Sequence, residues 1–165
     1  MIFITVGTDL PFDRMVRVID RWAGENERTD VFAQIGEGGW KPEHIEFAEF
    51  LQPPDFMQRF VAADIIISHA GMGTILSALR YGKPILVMPK RAHLGEHRNE
   101  HQLATAEKMR ELGNVNVAFD EDELVACLDK VDELVAREPI SPYANPELIA
   151  GLSEFIHQKS AGGTR

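Results

Sequence analysis

The sequence predicts an α/β fold, a doubly wound parallel sheet of about six strands flanked by helices. Three observations carry that expectation. Short apolar runs recur along the whole chain, amphipathic stretches separate them, and several runs are apolar on both faces, as strands inside a parallel sheet must be. The runs fall at residues 2–6, 31–35, 45–51, 65–68, 85–88 and 115–119. A strand–helix alternation this regular implies right-handed crossovers and a Rossmann-like architecture.

The helices between the strands have their own signals. Met15, Val18, Ile19 and Trp22 repeat with helical spacing. Pro53-Pro54 opens a helix that extends to about Ala63, because proline suits a first helical turn. Leu124, Cys127, Leu128, Val131, Leu134 and Val135 form one helical face behind an Asp120-x-x-Glu123 capping box. That pattern places Cys127 on the core side, as a small apolar residue and not a reactive thiol. Residues 1–136 form the domain. Residues 137–145, with Pro139 and Pro142, read as a linker. A C-terminal helix at 146–159 carries Leu148, Ile149, Leu152, Phe155 and Ile156, for packing on the domain or on a partner, and 160–165 reads as a disordered tail.

Composition narrows the class. The 165 residues are 44% hydrophobic and 26% charged, which fits one soluble globular domain with a real core. No apolar run approaches the roughly 20 residues that cross a bilayer, so direct membrane insertion is not expected. The first residues lack the basic flank and length of a signal peptide. A net charge of −9 opposes binding to nucleic acid or anionic lipid. The single cysteine, Cys127, allows no internal disulfide and fits a reducing, cytoplasmic setting.

Ligands of open α/β sheets bind beyond the carboxyl ends of the strands. Three such ends carry unusual residues: Gly7-Thr8-Asp9, the run from His69 through Ala70, Gly71, Met72 and Gly73 to Thr74, and residues 90–102. The second is the most informative. Glycines between a strand and a helix let a ligand approach the backbone, and the helix start offers free N–H groups and partial positive charge. With the Thr74 hydroxyl and His69 beside it, this reads as a phosphate or diphosphate cradle; a tight turn without a ligand is the alternative. The dinucleotide pattern G-x-G-x-x-G fails because Leu76 occupies the third glycine position. Between residues 80 and 101, five basic side chains face two acidic ones, an excess of +3 that favours an anion. His97-x-x-Glu100-His101 matches an inverted zinc-protease pattern, with His93 one helical turn earlier. Gly95 argues against one helix through all three histidines, and no metal site is expected there.

Four stretches together carry a family resemblance: F-I-T-V-G-T-D-L-P-F-D-R-M-V (3–16), A-D-I-I-I-S-H-A-G-M-G-T (63–74), Y-G-K-P (81–84) and N-E-H-Q-L (99–103). In order and spacing, residues 1 to about 112 resemble the C-terminal, donor-binding domain of glycosyltransferase family 28. The likeness is greatest to its small members, the soluble subunits of split UDP-sugar transferases in eukaryotic dolichol-linked and bacterial exopolysaccharide synthesis. The resemblance implies one half of a GT-B fold and a UDP-sugar as substrate, with no cofactor and no metal. It implies that His69 and the turn of Ala70, Gly71, Met72, Gly73 and Thr74 hold the diphosphate, with His69 and Thr74 stabilising the leaving group. Gly7 and Thr8 would face the same phosphates or the sugar, and main chain at Leu51 and Gln52 the uracil. Asn99, His101 and Gln102, with Glu96 and His97 nearby, would reach sugar hydroxyls. Many relatives carry a ribose-binding Glu three residues beyond the threonine; here that position is Ser77, which cannot accept two ribose hydroxyls as a carboxylate does.

The resemblance further implies direct displacement with inversion at the anomeric carbon, of a hexose moved to a lipid-linked acceptor. The acceptor and the general base sit on another domain in two-domain relatives. The expected partner is therefore a membrane-associated acceptor-binding subunit that recruits this chain to the cytoplasmic face of a membrane. A non-catalytic nucleotide-sugar-binding homodimer, or an unrelated α/β nucleotide enzyme, are the alternatives.

Overall fold

A computed structural model describes residues 1–113 and 115–136. The expected linker, C-terminal helix and tail lie outside the described residues. Six parallel strands form one sheet: β1 (Ile2–Thr5), β2 (Val31–Gln34), β3 (Glu46–Ala48), β4 (Ile65–His69), β5 (Ile85–Met88) and β6 (Asn116–Val117). Their spatial order is β3-β2-β1-β4-β5-β6. The chain winds outward from β1 through β2 to β3, then returns to pair β4 with the other edge of β1. This is the Rossmann-like, doubly wound sheet that the apolar runs predict.

Helices cover both faces. α1 (Asp13–Glu25) and α5 (Glu121–Leu128) pack on one side, against Ile2, Ile4, Val6, Ile67, Leu86 and Met88. On the other side α2 (Pro53–Ala62), α3 (Met72–Arg80) and α4 (His101–Leu112) enclose Phe3, Phe32, Ile66, Ile85 and Val87. Adjacent residues of β1 thus feed opposite cores, which is why Ile2, Phe3 and Ile4 are all apolar. Phe3 meets the edges of Phe56 and Phe60, at centroid distances of 5.3 and 6.4 Å. These aromatic contacts fix α2 against β1.

The outer strands are shorter than their apolar runs suggest. β3 pairs over three residues only, with Glu46 and Phe47 exposed, and β6 over two. Short edges leave little backbone to template another chain. The Asp120 cap forms, its side chain accepting the Glu123 N–H at 2.8 Å. The reciprocal half of the box does not: Glu123 accepts from the Phe119 N–H and from Arg110 instead. Cys127 is half-buried against the α1 side of the core, and burial pushes its thiol pKa up. The helix expected through Val135 stops at Leu128, and a single 3-10 turn at Val131–Glu133 follows.

One buried carboxylate organises the long β2–β3 connection. Asp20, on α1, is 3% exposed and accepts the main-chain N–H groups of Glu43, His44 and Ile45, the shortest at 2.8 Å. Removing it strands three donors. Asp20→Ala should cost about 3 kcal/mol in urea unfolding, and Asp20→Asn, which keeps one acceptor, should cost less.

Candidate functional site

The reversal of winding between β1 and β4 opens a crevice at their carboxyl ends. A cleft of about 250 Å³ lies there, lined by Thr5, Gly7, Thr8, Gln34, Phe50, Leu51, Phe56, His69, Gly73 and Thr74. Its floor is polar because three apolar strands end in register on polar residues: Thr5 pairs with Gln34 on one side and with Ser68 on the other. The Thr5 hydroxyl donates to Gln34 Oε1 at 2.7 Å, and Gln34 Nε2 donates to the carbonyls of Gly7 and Glu49. Gln34 thus joins the loop after β1 to the segment before α2, across the cleft floor. One wall is apolar and aromatic, built by Phe50, Leu51 and Phe56.

His69 ends β4 and is held by two glycines. A Cβ on Gly71 would come within 2.2 Å of His69 Nε2, and one on Gly7, at φ +82°, within 2.7 Å of Cε1. Both glycines therefore make room for the imidazole. Gly73 differs: a Cβ there meets nothing within 4 Å, so its surface is open for something else. α3 begins at Met72, and its first intrahelical bond runs from the Ile75 N–H to the Gly71 carbonyl. Among the described residues, the N–H groups of Met72, Gly73 and Thr74 have no backbone acceptor. They are donors at the positive end of a helix that opens into the cleft.

Burial is the main cause that lowers the His69 pKa to about 4; the positive charge of Lys90 and the neighbouring His97 add to it, while the Thr5 backbone opposes it. Its Nδ1 is buried without a hydrogen bond of sound geometry. At neutral pH His69 is an uncharged ring, and it can act only as a dipolar donor or acceptor.

The residues expected to reach the sugar are placed differently. Glu96, His97, Asn99, His101 and Gln102 all stand outside the lining of this cleft. Both Glu96 oxygens are held by Arg14, at 2.7 and 2.9 Å, and one also accepts the Arg91 N–H, so Glu96 clamps its own loop to α1. The Gln102 side chain is buried, its oxygen accepting the Lys90 N–H at 3.1 Å. His97 lies edge-on to His101 and turns Nε2 towards Asp9 at 3.8 Å. Asn99 bonds to the His101 main chain and ring. Leu51 lines the cleft, while Gln52 is the exposed N-cap of α2 and its carbonyl accepts the Phe56 N–H. Ala70 is buried and Met72 exposed. Ser77 is half-buried on α3 and donates its hydroxyl proton to the Gly73 carbonyl at 2.8 Å, so with that bond kept it meets a ligand as an acceptor.

The positive window of the sequence is dispersed in space. Arg80 and Lys83 lie at the opposite end of β5 from Lys90, Lys83 donating to the carbonyls of Val61 and Ala63. Arg91 and Arg98 face Glu100 and Asp9, at 3.6 Å each. The pattern thus does not make one electropositive face. The histidine series is interrupted as Gly95 suggests. A 3-10 turn at Ala92–Leu94 ends on Gly95 at φ +72°, and α4 starts only at His101. Among the described residues, no three metal-ligating side chains come together.

The sequence reading missed Thr5, Gln34, Phe50 and Phe56. Polar residues closing otherwise apolar strands were the signal for the first two. Because the folded His69 pKa is below its unfolded value, stability is fully present above pH 6.5 and is lost as pH falls towards 4. His69→Gln should flatten the pH dependence of the unfolding free energy in that window, removing a change on the order of 3 kcal/mol.

Comparison with known proteins agrees with this architecture. The chain is 34% identical over 96 residues to the UDP-N-acetylglucosamine transferase subunit ALG13 of Saccharomyces cerevisiae, over 58% of this chain and 45% of that protein. It spans less than half the length of the curated relatives it matches. The solution structure of an ALG13 superposes with a TM-score of 0.59 at 23% identity, over 94% of this chain and 96% of that one. The calicheamicin glycosyltransferase CalG4 gives 0.55 at 18% identity, over 81% and 34%. These likenesses establish the fold, a Rossmann-like half of the GT-B type. The sequence model of the glycosyltransferase family 28 C-terminal domain matches residues 1–144, more than four-fifths of the chain, and the protein belongs to that family.

Proposed function

We propose that this chain is the donor-binding subunit of an inverting glycosyltransferase that takes a UDP-hexose and acts with a separate acceptor-binding protein. The observation that carries this reading is the cleft at the switch point. Three N–H groups of α3 without backbone acceptors, an uncharged His69 and an open Gly73 surface meet an apolar aromatic wall in it. A nucleoside diphosphate needs that pair of environments: donors for the phosphates and a flat apolar surface for the base. Leu51 main chain, beside Phe50 and Phe56, is the uracil side; Gly7, Thr8 and the α3 turn are the phosphate side.

In the transfer, the acceptor hydroxyl oxygen bonds to the anomeric carbon as the bond from that carbon to the β-phosphate oxygen breaks. The nucleoside diphosphate departs with the electron pair, and its developing charge falls on the α3 N–H groups and His69. A neutral histidine suits this task, since it can donate a hydrogen bond without the desolvation cost of a buried cation. The acceptor proton passes to a base on the partner, which also presents a lipid-linked acceptor. Among the described residues no helix is long and apolar enough to cross a membrane. We place the chain in the cytoplasm, held at the membrane by that partner and not by its own insertion.

Titration calorimetry with UDP and UDP-sugars tests the donor site; no heat at millimolar UDP would overturn it. Gly73→Val fills open space and leaves its neighbours alone, so it should fold normally and bind UDP at least about tenfold more weakly. Transfer of labelled sugar to a lipid acceptor should require a co-expressed membrane protein; turnover by this chain alone would refute the split arrangement.

A further inference from the structure

Lys90 stands just beyond the carboxyl end of β5, and its side chain is among the most buried in the protein, at 1% exposure. Its ammonium donates to the Leu10 carbonyl and lies 5.8 Å from the centre of the Phe12 ring. Among the described residues, no carboxylate comes within ion-pairing distance of it; the two that act on it are already engaged. Asp9 faces His97 and Arg98, and Glu96 is clamped by Arg14. A buried ammonium without a direct counter-ion is costly, and a Met or Leu of similar bulk would fill the space at less expense to stability. Packing therefore does not explain a lysine here. Its two connections do: Leu10 belongs to the loop that begins at Gly7 and Thr8, and the Lys90 charge is felt at His69.

Resting on the donor-site reading above, we propose that Lys90 is a positioning residue for the donor's diphosphate. Its buried ammonium ties down the loop after β1 and places a positive charge, without a direct counter-ion, two residues beyond the β5 position that pairs with His69. The groups around it are Asp9 on that loop, Glu96 with its Arg14 partner from α1, His69 on β4, and His97 beyond Asp9. Burial is the main cause that lowers the Lys90 pKa to about 8, against the pull of Asp9 and Glu96. A bound anion favours the charged form, so affinity should fall as pH rises through that value, where the phosphates themselves have finished titrating.

The experiment is UDP titration of the full chain between pH 7 and pH 9.5, with wild type, Lys90→Arg and Lys90→Met, alongside thermal melts. Wild-type affinity should drop about tenfold more across the range than that of Lys90→Arg, which stays charged throughout and reports only the ionisation of the uracil N3–H. Lys90→Met should bind about tenfold more weakly at pH 7 while melting at or above the wild-type temperature, a divergence that a merely structural lysine would not produce. Binding by Lys90→Met within twofold of wild type, or the same alkaline decline in wild type and Lys90→Arg, would overturn the proposal. Should Lys90→Met fail to fold, the comparison of wild type with Lys90→Arg decides alone. A wild type that ignores UDP at every pH removes the donor-site reading, and this inference with it. A wild type that binds while Lys90 proves indifferent removes only the inference.

Discussion

The site depends on one arrangement of hydrogen bonds: β1 is paired on both edges, with β2 on one side and β4 on the other. That double pairing sets the loops after β1 and β4 side by side while their helices depart to opposite faces. The strand order reverses here, because the chain winds outward from β1 to β3 and then returns to β4 on the other edge of β1. The cleft, the exposed start of α3 and the glycine-flanked histidine are all consequences. The apolar character of Ile2, Phe3 and Ile4 is therefore a functional requirement as well as a packing one: without two cores the double pairing has nothing to stabilise it.

Electrostatics at the site are local and do not follow the total. The chain is acidic overall, and the basic residues near the cleft are largely engaged by acidic ones. The uncompensated groups in this region are a helix terminus, an uncharged imidazole and a buried ammonium. Such groups are oriented by the fold, so they need little rearrangement when charge arrives. Groups held in this way discriminate between anions better than a surface patch of lysines, which any polyanion would satisfy.

The sequence disclosed the six strands because their residues are buried on both faces and so read as unbroken apolar runs. It overstated the outer two, since runs such as 45–51 continue past the point where a neighbour is available to pair. It gave no sign of α4, whose buried positions include the polar Gln102 and the small Ala106 and whose face is hardly amphipathic. The charge window misled for a geometric reason. Four extended residues of β5, at about 3.3 Å each, separate Lys83 from Lys90, so neighbours in the chain stand at opposite ends of the sheet. The glycine turn stood out in the sequence as a candidate, but its division of labour did not: only the packed structure distinguishes Gly7 and Gly71, which accommodate a ring, from Gly73, which accommodates none.

That division has an evolutionary corollary. Positions 7, 69 and 71 form a single steric unit, because the ring at 69 occupies the volume where two missing side chains would stand. Any side chain gained at position 7 or 71 meets the ring at 69, and that barrier is one of volume. A lineage that exchanged His69 for a small residue would release position 71 to vary freely, whereas position 7, at positive φ, would still favour glycine through its backbone. The two glycines thus read alike in the sequence but are required for different reasons, one by its neighbour and the other by its neighbour and its own geometry.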